Sequence, residues 1–292
     1  MKKIGFIVCI LIFFSVLGIG YAQQSAQELN LTSSFDKAIA LSMGGAWRSL
    51  AEGTNAILVN PSGLSFKKST GFGFDYLGGD YLGSRILSGG VYDSKSFDVS
   101  GGLFYERNDL VIDGRNVSVN QFAVAMGRSI SQVFSAGTNV KYIHIGRSLP
   151  SGGDLDRFTG DFGMSARPIP ELAFAAVLQN FYNGTKDPEV PLIAGLAMAA
   201  ILGDSAKLSV DMDIDFSTRQ SSRTNFYFGG EVTLTQGICF RAGYGLDRVR
   251  DNPYFGTGIG FYGPKLVLNF TFAERLNPIE QIYALSAQLI TF

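Results

Sequence analysis

Three aspartates at alternate positions, Asp211, Asp213 and Asp215, form the densest carboxylate group in the chain, and clustered carboxylates are the usual ligands of hard cations. On a strand, alternate residues share a face about 7 Å apart, too splayed for one ion without further ligands. Phe216 also stands where a calcium loop of the EF-hand type needs its glycine. The pattern therefore reads as a ladder of carboxylates paired with Arg241, Lys141 or Arg48, because buried carboxylates need partners. His144 is the only histidine, and Ser148 and Ser151 follow it closely, which admits a lipid hydrolase as a third-ranked reading. A hydrolytic serine needs a base within reach and a third group to orient that base. No Gly-x-Ser-x-Gly elbow is present, so no catalytic residue is assigned. Walker loops, dinucleotide fingerprints and Cys/His clusters are also missing, so neither metal nor cofactor is expected. A net charge of −1 offers no basic excess for phosphates, which sets nucleic acid aside as a partner.

The elements that carry these residues alternate with a period of two. Leu208, Val210, Met212, Ile214 and Phe216 interleave with Ser209, Asp211, Asp213 and Asp215. Ile238, Phe240, Ala242 and Tyr244 interleave with Cys239, Arg241, Gly243 and Gly245, and Phe158, Phe162 and Met164 with Thr159, Asp161 and Ser165. Such strands put every apolar residue on one face and every polar one on the other. From Thr70 to Phe292 the alternation yields about fourteen segments of roughly nine to twelve residues, enough to cross a bilayer at a tilt. They fall near 70–78, 85–93, 96–106, 117–128, 133–146, 157–166, 171–179, 191–202, 206–217, 223–234, 238–246, 254–262, 265–274 and 282–292.

Long polar connectors at Asn108–Asn116, Ser148–Asp156, Asn180–Val190 and Asp247–Pro253 alternate with tight ones at Ser129–Gln132, Arg167–Glu171, Gly203–Ala206 and Gln236–Gly237. Outer-membrane barrels have this asymmetry, with short periplasmic turns and longer extracellular loops. Charged residues make up only 17%, against about a quarter in soluble domains. The fold class is therefore all-β: a transmembrane antiparallel barrel of about fourteen strands over residues 70–292, in the bacterial outer membrane and in contact with its lipids. Gly89-Gly90 and Gly101-Gly102 could kink early strands or make room for something packed inside. Phe292 is the terminal aromatic that barrel-assembly machinery would meet. It is out of phase with Tyr283, Leu285, Ala287 and Leu289, and a bulge near Gln288–Ile290 would reconcile them.

Residues 1–22 read as a signal peptide, with Lys2 and Lys3 before an apolar run and Gly20-Tyr21-Ala22 before cleavage. Cys9 would leave with it, and Cys239 alone cannot form an internal disulfide. Residues 23–69 precede the strands. In them Ser34 could cap a helix over Phe35–Met43, with Phe35, Ile39 and Met43 on one face, broken by Gly44-Gly45. A second turn over Ala46–Glu52 would end at Gly53.

The run from Ser42 to Leu64 has a Gly44-Gly45-Ala46 start, a small and acidic middle, and the ending Asn60-Pro61-Ser62-Gly63-Leu64. It resembles the N-terminal signature of the FadL-like barrel superfamily, which includes long-chain fatty-acid channels and PorV-type proteins. Serine at 62 replaces the usual alanine. The resemblance implies fourteen strands and residues 23–69 folded into the barrel as a partly helical luminal plug, with Gly44, Gly45, Trp47, Asn60, Pro61 and Gly63 at its ligand-facing positions. It places the Asn60-Pro61 turn at the periplasmic mouth. Pro61 holds Asn60 extended, and Gly63 allows a tight turn. Lys141, Asp211, Asp213, Asp215 and Arg241 would face the lumen. The leading functional expectation is passage of a hydrophobic small molecule past Trp47 and the Asn60-Pro61 turn, with a lateral exit. The second is a PorV-like scaffold for secreted proteins.

Overall fold

A computed structural model describes residues 37–80, 83–112, 115–147, 153–182, 189–217, 223–234, 237–249 and 251–292. The signal peptide, Ser34, Phe35, Ser148 and Ser151 lie outside them. The wall comprises β1 (Thr70–Gly79), β2 (Arg85–Asp93), β3 (Val99–Ile112), β4 (Arg115–Ser129), β5 (Phe134–Arg147), β6 (Leu155–Ile169) and β7 (Leu172–Gln179). It continues through β8 (Ile193–Leu202), β9 (Ala206–Asp215), β10 (Arg223–Thr233), β11 (Ile238–Leu246), β12 (Tyr254–Tyr262), β13 (Leu266–Leu276) and β14 (Ile279–Thr291). Each strand pairs antiparallel with the next, and β14 returns to β1, with Thr70 opposite Thr291, so the barrel closes. Closure leaves no unpaired edge, which is what hydrocarbon demands of a sheet.

The alternation decides which face is wet. Ser209, Asp211, Asp213 and Asp215 are buried inward, while Leu208 and Val210 are exposed on the outer surface. Ile259, Phe270 and Leu285 lie side by side in register on β12, β13 and β14, and about half of each is exposed. A continuous apolar exterior of this kind is a lipid-facing belt rather than a soluble surface. No helix among the described residues is long and apolar enough to cross a membrane; the crossing is made by strands.

Inside lies the segment Lys37–Ser69, with helices α1 (Ala38–Ser42) and α2 (Ala56–Val59) and a 3-10 turn over Pro61–Ser65. Every residue from Lys37 to Ala51 is buried. The wall makes room for it by omission: a Cβ at Gly102, Gly137, Gly163, Gly195, Gly243 or Gly256 would come within 3.0 Å of Ile57, Pro61, Asn60, Arg48, Met43 or Leu41 respectively. These glycines sit on six different strands, so the interior is contoured around the segment.

Several expectations are corrected. β3 and β4 run to Ile112 and from Arg115, so Asn108–Asn116 is not a long loop but mostly ladder, cross-strand pairs sustaining it past the bilayer-length segment. The first helix is confined to Ala38–Ser42 because Lys37 is extended. Ala46–Glu52 is not helical: the backbone N–H groups of Trp47 and Arg48 donate to Asp211 of the wall, so a tertiary partner replaces the helical one. Gly53, at φ +63°, opens a 3-10 turn instead of ending a helix. No bulge occurs near Gln288–Ile290, since β14 pairs without a shift on both sides; Phe292 is out of phase because it lies beyond the strand end. Pairing is also unbroken at Gly89-Gly90 and Gly101-Gly102. Among the described residues the one register shift is at β6–β7, between Ala166 and Ile169, around Pro168, which has no N–H to give the ladder.

If the belt faces lipid, Phe270→Arg will lower stability by about 2–4 kcal/mol, the cost of a cation near the midplane. Phe270→Leu will cost less than about 1.5 kcal/mol. Denaturant unfolding in lipid vesicles reads both, and equal effects would contradict the orientation.

Candidate functional site

Asp211 and Asp213 meet Arg48, one of the three cations proposed for them. Asp211 Oδ2 accepts from the backbone N–H of Trp47 at 3.1 Å and of Arg48 at 2.9 Å. Arg48 Nη2 donates to Asp213 Oδ2 at 3.0 Å, and its Nη1 lies 3.8 Å from Asp211 Oδ2. All three side chains are within 3% of full burial, so the pair exists only because each charge answers the other. Gly195 on β8 leaves the space that the guanidinium occupies.

The Asn60-Pro61 turn lies inside the lumen near the short-connector end, against Gly137 and Gly163. Asn60 is extended, as the following proline requires, and its Oδ1 accepts from Ser62 N and Ser62 Oγ. Asn60 Nδ2 donates to the carbonyl of Arg48 at 3.0 Å and to Ser165 Oγ of β6 at 2.8 Å. Ser62, the departure from alanine, uses its hydroxyl on Ser165 at 2.7 Å. Gly63 is required less for turn freedom than for room, since a Cβ there would strike the Ala51 carbonyl. Gly44, at φ +61°, and Gly45, at φ +92°, pass equally close to Tyr244 and to Tyr227.

The other expected lumen residues belong to separate networks. Lys141 pairs with Asp161 at 2.7 Å and donates to Asn180 Oδ1 at 2.6 Å. Asn139 joins them: its Nδ2 donates both to Asp161 Oδ2 and to the carbonyl of Ile57 in α2. Arg241 is held on the wall by Glu231 at 2.7 Å, Asn269 at 2.9 Å and Tyr262 at 2.8 Å, and Lys207 reaches the other oxygen of Glu231. Asp215 accepts from the Ser217 backbone N–H at 2.9 Å, at the long-connector end of β9. The sequence reading missed Glu106 and Glu231; Glu106 pairs with Lys37, whose ammonium also lies 4.7 Å from the Phe104 ring centroid. The inward parity of both glutamates was the available signal.

His144 lies on the outward parity of β5 with Asp156 Oδ1 at 2.9 Å, away from the lumen. Among the described residues no group of three or more His, Cys, Asp and Glu side chains has metal-binding geometry.

Two apolar regions flank the inner segment. Toward the long connectors, Leu110, Val117, Val119, Ile143 and Ile145 on the inner face of β3 to β5 form a buried cluster with Val190 of the β7–β8 connector. Toward the short connectors, a cavity of about 570 Å3 lies between the segment and the wall, lined by Trp47, Leu50, Leu64, Tyr92, Ile201 and Val267 among others.

Removing Arg48 strands two buried carboxylates, so Arg48→Met will lower unfolding stability by about 3–5 kcal/mol. It will also expose residues 37–69 to protease, whereas Arg241→Met, which touches no inner-segment residue, will leave them protected. Equal protection in both variants would remove Arg48 as the anchor.

No protein-family model matches the sequence, and no curated protein matches it. The structure is similar to that of the CymD monoaromatic hydrocarbon channel, with a TM-score of 0.66 at 12% identity over 87% of this chain and 97% of that one. It is similar to the Ralstonia pickettii toluene transporter TbuX, with a TM-score of 0.66 at 10% identity over 89% and 99%. A Pseudomonas aeruginosa FadL homologue gives 0.59 at 12% identity over 87% and 98%. The chain shares with these structures a closed β-barrel fold, here of fourteen antiparallel strands.

Proposed function

We propose that this chain is an outer-membrane conduit for a hydrophobic small molecule. The observation that carries the reading is the apolar inner wall toward the long connectors, at Leu110, Val117, Val119, Ile143 and Ile145. Water-filled barrels line that space with polar residues, so an apolar lumen wall suits an apolar cargo. The solved structures with this fold include channels described as carrying toluene and monoaromatic hydrocarbons, which supports the same class. In this reading the chain is no enzyme, residues 1–22 direct export, and Phe292 addresses the barrel-assembly machinery. The secretion-scaffold reading has no observation of its own.

Cargo entering from the long-connector side passes beside the segment Lys37–Ala51, which occupies the lumen, and leaves through the wall near the short connectors. Among the described residues the ladder with a register shift is β6–β7, where pairing jumps from Ala166–Phe174 to Ile169–Leu172. An apolar recess of about 530 Å3, lined by Met164, Phe174, Leu196 and Met198, faces lipid at that seam. The exit is assigned there, not at the continuous glycine pairs of β2 and β3.

In vesicles with lipopolysaccharide outer leaflets, the chain will accelerate toluene uptake over empty vesicles. Val119→Thr with Ile145→Thr will slow it at least about tenfold, since each buried hydroxyl costs about 1–3 kcal/mol and about 1.4 kcal/mol is a factor of ten. With Cys239→Ser as background, a disulfide between Ala166→Cys and Phe174→Cys will block uptake until it is reduced. One between Leu103→Cys and Val124→Cys will not. Equal uptake in oxidised and reduced β6–β7 barrels would refute the seam, and no acceleration by the parent chain would refute the conduit.

A further inference from the structure

The cavity on the short-connector side carries hydrogen-bonding groups that a hydrocarbon does not use. Its volume of about 570 Å3 is that of a small-molecule site, which spans about 300–1,000 Å3. Four buried polar atoms on its lining residues have no partner: Trp47 Nε1, Gln288 Nε2 and Arg167 Nε as donors, and Asn55 Oδ1 as an acceptor. Trp47 is 6% exposed and Asn55 is 5% exposed, so solvent at the mouth does not reach them freely. Buried polar groups are normally satisfied, and four orphans around one cavity point to an occupant. Gly53 keeps the Gln288 amide in place, because any Cβ there would occupy its position.

The charges on the lining decide what kind of occupant. Arg167 Nη2 is engaged by Glu52 at 3.0 Å, and Lys207 by Glu231 at 2.6 Å. Lys67 lies 4.6 Å from the Phe292 ring centroid, and Asp204 adds a further anion to the lining. A carboxylate entering this space would compete with Glu52 and Glu231 for Arg167 and Lys207 and lie near Asp204, whereas a neutral oxygen would take up the spare donors without adding charge. Leu50, Leu64, Ile201 and Val267 supply the apolar remainder.

We propose that this cavity binds a neutral, largely apolar molecule through a hydrogen-bond-accepting carbonyl oxygen, such as a ketone or ester, with Trp47 Nε1 and Gln288 Nε2 as donors. It deepens the conduit reading by giving the barrel a second station, and it rests on that reading only for the route of entry. Trp47 is the only tryptophan, so its emission reports on the cavity directly. The experiment titrates the purified full chain in zwitterionic detergent with 2-octanone, octane and octanoate at matched free concentrations. The ketone is expected to shift Trp47 emission saturably, with half-saturation at least about tenfold lower than for octane or octanoate, as the loss of a hydrogen bond to buried donors implies. Gln288→Leu will raise the ketone value about tenfold and leave octane unchanged. Equal half-saturation for ketone and octane, a preference for octanoate, or no saturable shift would overturn the site. The three-probe comparison on the parent chain stands even where Gln288→Leu does not fold. Toluene uptake without ketone binding sinks this site alone; ketone binding without toluene uptake upholds it and sinks the conduit.

Discussion

A guanidinium in the middle of a closed barrel loses its water, and Arg48 recovers that loss only by lying between Asp211 and Asp213. Much of the interior follows from this contact. Asp211 also takes the backbone N–H groups of Trp47 and Arg48, which stops the chain from continuing as helix after Gly45. The carbonyl of Arg48 then accepts from Asn60, and through Asn60 the turn at Pro61 is pinned to Ser165 of β6. One charged side chain thus ties β9, the non-helical stretch and the closing turn into a single arrangement. Its neighbours on the wall, Gly195 among them, are shaped by its bulk.

The inner segment divides the lumen into two unlike spaces. On its long-connector side the β3–β5 wall is aliphatic, and side chains such as Val119 and Ile143 offer no hydrogen bonds. Below it the lining mixes aliphatic residues with an indole, amides and matched ion pairs. The two spaces therefore differ in the polarity they accommodate. The Lys141–Asp161–Asn139 network lies between them, joining α2 to Asn180 in the connector after β7.

Most of the wall was legible because its cause is local. Residues 238–246 and 254–262 show themselves by alternation, and the observed strands have those bounds, as does 85–93 despite its Gly89-Gly90 pair. Alternation also gave the inward side of Asp211 and Arg241. What it could not show was partner choice, which depends on curvature around a closed sheet. Arg241 turns to Glu231 on the neighbouring strand, and Lys141 to Asp161, while only Arg48 reaches the aspartate ladder. The helical content of 38–59 was shifted for a similar reason: Asp211 lies 163 residues from Arg48, beyond the reach of any local propensity. The irregular pairing at Pro168 left a trace in the sequence, a proline within a strand, but its meaning depends on what packs outside it.

The omitted side chains along the wall have a consequence for how such chains diverge. Gly102 and Ile57, Gly163 and Asn60, and Gly195 and Arg48 each share a volume that only one of the two side chains can fill. Each pair therefore behaves as one inherited character: a methyl gained on the strand must be matched by atoms lost from the segment inside. Apolar-for-apolar substitutions on the lipid face carry no such constraint and can accumulate. Relatives with this architecture would then drift rapidly on the outside while their interiors change only by paired replacement.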